Sequence, residues 1–118
     1  MSDVADRAVS ELLKTCQQEG ISAALFLMPE ATPFREFYPP RIRAGLESYL
    51  ARVCQDHEVT LFDATLWSAD DDFRDGHHLL IDGATRFSQR FGRELIAPFV
   101  AKHNWPRVLS QRPTDERR

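Results

Sequence analysis

The chain has 118 residues, which suits a single domain, and its 42% hydrophobic and 28% charged residues are typical of a globular protein. The formal net charge of -3 gives no reason to expect a general affinity for nucleic acid or for anionic membranes. No apolar run approaches the roughly 18 residues that a membrane helix needs, and the acidic N-terminus lacks the apolar stretch of a signal peptide. We therefore expect no membrane span and, for the chain as it stands, a cytoplasmic location.

The hydrophobic pattern predicts five elements in the order helix, strand, helix, strand, helix. They are a helix over 3–19, a strand within 21–28, a helix that opens at Pro39 and Pro40, a strand over 59–62 and a helix over 82–101. The first strand is apolar throughout, which is typical of a strand buried on both faces. The segments 29–38 and 64–80 are expected to be irregular loops. This alternation indicates parallel strands joined by crossover helices, and hence an α/β fold.

The second and third helices each have one apolar face that should pack on the core. These faces consist of Ile42, Leu46, Tyr49, Leu50 and Val53 in the second helix, and of Ala84, Phe87, Phe91, Leu95 and Phe99 in the third. We expect Asp82 to cap the third helix, because its carboxylate can accept from the first free backbone amides. Cys16 and Cys54 fall on inward helix faces and are expected to be small buried thiols, with a disulfide only weakly supported.

The predicted sheet is unusual for a self-sufficient domain. Two parallel strands leave both sheet edges open, although parallel sheets are normally larger and covered on both faces. Both long loops leave the carboxyl ends of the strands, which is where open parallel sheets bind ligands. The sequence therefore predicts a functional site in these loops and a sheet that is incomplete by itself.

The second loop contains the residues best suited to chemistry. Between positions 70 and 79 it holds four aspartates, two histidines and a glycine. A histidine that acts as a base near neutral pH needs an acceptor on its other ring nitrogen. Asp75 precedes His78 by three residues, and a tight turn at Gly76 can bring the carboxylate back over the imidazole. The same spacing also occurs where solvated aspartates only cap a helix. We expect the adjacent His77 to point the opposite way, at the rim of the site.

The string Phe73-x-Asp75-Gly76-x-His78-Leu79, followed by Gly83-Ala84 and Phe87-Ser88, resembles the last motif of the SGNH/GDSL hydrolase superfamily. The resemblance implies a three-layer α/β/α fold of flavodoxin-like type. It also implies hydrolysis or transfer of an ester-linked acyl group without a cofactor. Position by position, Asp75 would orient His78, and His78 would be the general base toward a serine hydroxyl.

The resemblance extends less specifically over 12–100, and the segment Leu27-Met28-Pro29-Glu30 is similar to members that act on cell-envelope or polysaccharide acyl groups. The nucleophile of that family lies in a Gly-Asp-Ser motif near the N-terminus, which this sequence lacks. The oxyanion-hole glycine and the asparagine of the Gly-x-Asn-Asp block are also missing. The serines, none of which follows a strand in a glycine-rich turn, are Ser2, Ser10, Ser22, Ser48, Ser68, Ser88 and Ser110.

These departures predict that residues 1–104 are the C-terminal part of an SGNH hydrolase-like domain and that 105–118 are a polar tail. The chain would then be the product of a truncated gene, a degenerate paralogue, or a half that pairs with another chain. Such a part would be inactive alone, because the members of a catalytic triad act as a unit. Its substrate would be an ester-linked small molecule or a polysaccharide acyl group. Its partner would be a complementary chain, or a second copy, at the open sheet edges. The cytoplasmic location would not hold if the parent protein is exported.

Two other functions remain open at this point. The loop could bind a metal ion through carboxylate and imidazole ligands, with His57 or Asp63 as more distant additions. The candidate ligands in the loop are Asp70, Asp72, Asp75, His77 and His78. Alternatively, the chain is an interaction module that docks a partner through the open strand edges and the aromatic residues Phe34, Phe37 and Tyr38.

Two groups of polar residues have simpler interpretations. Asp63, at the end of the second strand, is expected to accept hydrogen bonds from amides of the loop that follows it. Arg35, Arg41 and Arg43 either contact an anionic substrate or are solvated charges near the start of a helix.

Overall fold

A computed structural model of the chain describes residues 2–103, and the predicted polar tail lies outside this range. The elements are α1 (Asp3–Gln18), β1 (Ala24–Leu27), α2 (Thr32–Phe37), α3 (Pro40–His57), β2 (Thr60–Asp63), a 3-10 turn (Asp70–Asp72), α4 (Ile81–Phe91), a π-helical segment (Gly92–Ile96) and α5 (Ala97–Lys102). β1 and β2 pair in parallel, with Ala24 opposite Thr60 and Leu27 opposite Asp63. The predicted α/β class is confirmed at this level. No helix within the described range is long and apolar enough to cross a membrane.

The two long helices begin and end where local chemistry favours it. The Ser2 hydroxyl accepts from the Ala5 amide at 3.3 Å and so caps α1. Pro40 occupies the first turn of α3, where its missing N–H is not needed. α3 ends at His57, and the left-handed backbone of Glu58 (φ +53°) then turns the chain so that the Val59 amide donates to the Cys54 carbonyl at 3.1 Å.

The sequence predicted an irregular loop over 29–38, and this prediction is wrong in part because the segment contains α2. Pro33 lies in the first turn of this short helix. The Asp70 carboxylate accepts from the backbone amide of Thr32 at 2.7 Å, and this hydrogen bond caps the helix from a loop far along the chain. A helix of six residues has no periodicity that the sequence could reveal, and its stabilising contact is tertiary.

The prediction that the first strand is buried on both faces is wrong. β1 has only four residues, and the Phe26 side chain within it is 40% exposed. The Phe26 ring packs against Phe91 of α4, with ring centroids 4.8 Å apart. In the described part of the chain the sheet has two strands, so α4 covers this residue only in part.

Buried apolar residues lie in two places: between α1 and α3, and in the segments that follow the two strands, where Pro29, Ala31, Ala64 and Phe73 are buried. Leu13 and Val53 are buried between the two helices, and the Gln17 side chain donates to the His57 carbonyl at 2.7 Å. The predicted apolar face of α3 is therefore confirmed in its second half only. In the first half, Ile42 is 50% and Leu46 is 42% exposed.

The last helix has the predicted apolar face but not the predicted cap. Its five apolar residues, Ala84, Phe87, Phe91, Leu95 and Phe99, are all half-buried. Leu80 is the N-cap, and Asp82 lies inside the first turn instead of capping it. The Leu80 amide instead donates to the Asp72 carbonyl at 2.7 Å, which fixes where the helix begins. The π-helical segment precedes Pro98, which lacks the amide that a regular ladder would require.

Candidate functional site

The loop between β2 and α4 is folded back on itself and fastened to the rest of the chain. Phe73 and Leu79 form an isolated antiparallel bridge across its base. At its tip, the Gly76 carbonyl accepts from the Ala31 amide at 2.8 Å. Because Ala31 lies shortly after β1, the loop is held beyond the carboxyl end of the sheet. Open parallel sheets bind ligands at this end.

The Asp75 carboxylate accepts hydrogen bonds from the two residues at the end of the turn. Its Oδ2 lies 2.8 Å from Nδ1 of His78, and its Oδ1 accepts from the backbone amides of His78 (2.9 Å) and His77 (3.4 Å). Gly76 makes this turn with a φ of +91°, which glycine adopts without steric cost. The hydrogen bond from the His78 ring, and then those from the backbone, lower the pKa of Asp75 from 3.8 to about 2. Asp75 is therefore ionised near neutral pH.

An ionised carboxylate beside Nδ1 requires that this nitrogen carry the proton when the imidazole is neutral. The other ring nitrogen of His78, Nε2, then has a free lone pair. No residue in the described range hydrogen-bonds to Nε2, and the side chain is 67% exposed. The pair consequently has the geometry of a general base held by an orienting carboxylate.

The prediction that His77 points away from His78 is wrong. The two imidazole rings lie side by side with centroids 4.1 Å apart, and Nδ1 of His77 is 3.6 Å from Oδ1 of Asp75. The His77 ring also packs against Phe34, at a centroid distance of 4.8 Å. Neighbouring side chains alternate only on extended backbone. Here the turn at Gly76 curls the chain, and α2 supplies an aromatic surface on the same side as Asp75.

Two of the other three aspartates of the loop make structural contacts. Asp70 caps α2 through the Thr32 amide. Asp72 forms an ion pair with Arg86 of α4. Of the predicted metal ligands, Asp75 and the two histidines are thus the ones brought together. Within residues 2–103, their ligand atoms all lie within 4.8 Å of one another.

The two distant metal candidates are not part of this cluster. Oδ1 of Asp63 accepts from the amide (3.0 Å) and the hydroxyl (2.7 Å) of Thr65, which confirms that Asp63 caps the following loop. His57 is buried at the end of α3.

Two of the three arginines near α2 stabilise the chain's own backbone. Arg35 donates to the Glu30 carbonyl and, at 2.9 Å, to the Thr32 hydroxyl. Arg43 donates to the Arg35 carbonyl at 2.9 Å. These contacts account for both residues without a substrate, and Arg41 is exposed.

The aromatic residues of α2 line one side of the site. Phe34 contacts Tyr38 edge-on at 5.6 Å, and Phe37 is largely exposed. A cavity of about 520 Å³ lies between this helix and the loop, bordered by Phe34, Phe37, Phe73 and Asp75. Sequence reasoning identified these aromatics only as a docking surface, because contacts between Phe34 and the histidine loop depend on the tertiary fold.

Within residues 2–103, neither histidine of the loop has a hydrogen-bonded nucleophile. Among the described residues, no serine hydroxyl hydrogen-bonds to His77 or His78. The thiols of Cys16 and Cys54 are free, half-buried, and on helices α1 and α3. Burial raises the pKa of the Cys54 thiol, which disfavours the reactive thiolate.

In the sequence, Gly83 was noted only as part of a motif, and no function was predicted for Arg86. In the structure, a Cβ at position 83 would lie 2.7 Å from the Asp72 Cβ, so glycine allows α4 to approach the 3-10 turn. Arg86 then reaches the Asp72 carboxylate.

Comparison with protein-family models, with curated proteins and with solved structures gives no significant match. The geometry of the loop is therefore the basis for any functional assignment.

Proposed function

We propose that Asp75 and His78 are the orienting acid and the general base of a serine-type ester hydrolase or acyl-transfer site of the SGNH/GDSL kind. In this proposal the described residues belong to a flavodoxin-like domain whose nucleophile half is supplied from elsewhere. The chain alone then has no appreciable activity toward esters.

The observation that carries the proposal is the 2.8 Å contact between Oδ2 of Asp75 and Nδ1 of His78. It leaves Nε2 as the basic nitrogen and points to a proton acceptor, not to a purely structural ion pair. The His78 side chain is 67% exposed, so a further group can reach this nitrogen. The position after the carboxyl ends of two parallel strands further supports a ligand site.

The free edges of the sheet support the proposal that half of the site comes from elsewhere. β1 and β2 pair only with each other in the described range, so each strand has a free edge. A complementary chain, or a second copy, could add a strand at such an edge. A serine delivered close to Nε2 of His78 would complete the proton-transfer path from the hydroxyl to the imidazole.

The cavity beside Asp75 favours an acyl group as the bound part of the substrate. Its walls include the rings of Phe34, Phe37 and Phe73, which suit apolar carbon chains. The ester-linked alcohol, whether a small molecule or a polysaccharide, would lie toward the exposed face of His78.

The tautomer of His78 tests the proposed base. In protein with ¹⁵N-labelled histidine, we expect neutral His78 to carry its proton on Nδ1, and Asp75→Ala to move part of the population to the Nε2–H form. His103 is the matched control, since its Nδ1 lies 2.8 Å from the Phe99 carbonyl and should keep its proton in both proteins. A wild-type His78 that is protonated on Nε2 would contradict the proposal.

Hydrolysis of a short p-nitrophenyl ester tests the missing nucleophile. We expect purified wild-type protein to show no more turnover than His78→Ala, because a base without its hydroxyl loses most of the triad's rate advantage. Turnover that disappears in His78→Ala would mean that the chain contains its own nucleophile. Substituting each serine in turn would then identify it.

A further inference from the structure

Three adjacent side chains at the tip of the loop direct ligand atoms toward one another. The carboxylate of Asp75 lies 3.6 Å from Nδ1 of His77 and 2.8 Å from Nδ1 of His78. All three groups are exposed, and their ligand atoms fall within 4.8 Å of one another. Acting as a general base requires only Asp75 and His78, so the position of His77 has no explanation in the proposed ester chemistry.

These distances suit a small divalent ion. In a tetrahedral site with bonds of about 2.1 Å, neighbouring ligand atoms lie roughly 3.4 Å apart. The two measured distances fall on either side of this value, and rotation of exposed side chains can adjust them. Two imidazole nitrogens and one carboxylate oxygen favour zinc over magnesium or calcium, which prefer oxygen ligands only.

The loop holds the three groups in place before any ion binds. The Ala31 amide fastens the Gly76 carbonyl at 2.8 Å, and the Arg74 amide donates to the His78 carbonyl at 2.8 Å. The Phe34 ring supports the His77 ring from α2. The backbone of the loop and the His77 ring therefore lose little conformational freedom when an ion is bound, and the exposed His78 side chain makes the remaining adjustment.

We propose that the carboxylate of Asp75 and the Nδ1 atoms of His77 and His78 form a zinc-binding site, with the remaining coordination positions open to water. The site does not depend on the ester chemistry proposed above, but it uses the same nitrogen. Zinc at Nδ1 of His78 displaces the proton from that nitrogen. The neutral ring then holds its proton on Nε2, where it can no longer act as a base. Zinc binding and the Asp75–His78 base are mutually exclusive states of one loop.

Calorimetric titration with Zn²⁺ tests the site in untagged, chelator-treated protein. We expect one equivalent to bind, and His77→Phe to weaken binding at least tenfold. The phenyl ring keeps the aromatic contact with Phe34 while removing the ligand nitrogen. His103→Phe is the matched control, because His103 is another exposed histidine packed on a phenylalanine, Phe99, at 4.3 Å. It should bind Zn²⁺ as tightly as the wild type.

Two outcomes would overturn the proposal: no saturable binding up to millimolar Zn²⁺, or binding that His77→Phe leaves unchanged. A ¹⁵N spectrum of labelled histidines provides the second readout. Zinc should shift Nδ1 of His77 and His78 and leave His103 unaffected. The tautomer of His78 in zinc-free protein reports on the base independently, so failure of the metal site and failure of the proposed function can be distinguished.

Discussion

The histidine loop and the scaffold that carries it differ in how completely they satisfy their own interactions. In the loop, Asp75 accepts three hydrogen bonds and the backbone is closed by a bridge between Phe73 and Leu79. In the scaffold, the first half of α3 exposes Ile42 and Leu46. The loop is thus held by hydrogen bonds within itself and to the start of α2, whereas the scaffold has apolar surface left over.

This difference indicates what each region requires from outside. The loop holds the geometry of Asp75 and His78 by local contacts, and under the proposed function it lacks only a nucleophile. The scaffold presents free strand edges and an apolar helix face within the described range, and such surfaces normally pack against further structure. Within the described range, the geometry of the loop is therefore preformed, whereas the apolar surface of the scaffold is only partly covered.

The substitution with the largest expected effect on stability tests whether α1 and α3 form a packed core. Leu13 is 3% exposed and Leu12 is 63% exposed, although the two are neighbours on α1. We expect Leu13→Ala to lower the free energy of unfolding by roughly 3 kcal/mol. Leu12→Ala should change it by less than about 0.5 kcal/mol. Urea denaturation followed by circular dichroism measures both. Equal effects would mean that α1 does not pack in the described orientation.

The long elements of the scaffold could be predicted because their causes are local. α1 and α3 have helical periodicity, a capping serine or proline at the start, and a left-handed residue soon after the end. The parallel pairing of β1 and β2 followed from the alternation of helices and strands. α2 could not be predicted, because its cap comes from Asp70. The exposure of Phe26 in β1 could not be predicted either, because an apolar run does not reveal how completely the helices cover the faces of the strand.

The sequence predicted the contact between two residues of the candidate site, but it did not predict the side chains that surround them. An aspartate three residues before a histidine, with glycine between them, indicated the contact between Asp75 and His78. The position of His77 depends on Phe34 in α2, which no pattern connects to the loop. The predicted cap of α4 was wrong for a similar reason: the Leu80 amide donates to the Asp72 carbonyl, the helix begins at Ile81, and Asp82 lies within its first turn.

The second prediction concerns the junction between the two regions. A methyl group at Gly83 would meet the Asp72 Cβ at 2.7 Å and the Asp72 carbonyl oxygen at 2.9 Å. We expect Gly83→Ala to push α4 away from the 3-10 turn and to cost about 2 kcal/mol of stability. Gly92→Ala is the control, because nothing lies within 4 Å of its Cβ and its backbone is helical. It should stabilise the protein by about 0.5 kcal/mol. A neutral Gly83→Ala would contradict the close contact.

The third prediction disturbs the loop alone. Gly76 has a φ of +91°, and a Cβ there would lie 3.2 Å from the Cβ of Phe34. Gly76→Ala should therefore cost about 1 kcal/mol through the strained backbone. It should also weaken the contact between Asp75 and His78, seen as partial loss of the Nδ1–H tautomer. Gly20→Ala shares the left-handed backbone (φ +67°) but has open space around it, and it lies far along the chain from the loop. It should leave the His78 tautomer unchanged.

The smallest effect is the dependence of stability on pH, and it isolates the contribution of the loop's own hydrogen bonds. The pKa of Asp75 is lowered to about 2 in the folded chain, first by the His78 ring and then by the backbone amides. A carboxyl group whose pKa is lower when folded stabilises the fold at pH values above its unfolded pKa, near 4. That stabilisation is lost as the pH falls from about 4 toward 2. The wild type should therefore lose stability more steeply than Asp75→Asn over this range.

In His78→Ala, the NMR titration midpoint of Asp75 should rise toward 3.8, only part of the way because the amide of residue 78 still donates to it. A midpoint that does not move would mean that the loop backbone, not the imidazole, holds the charge.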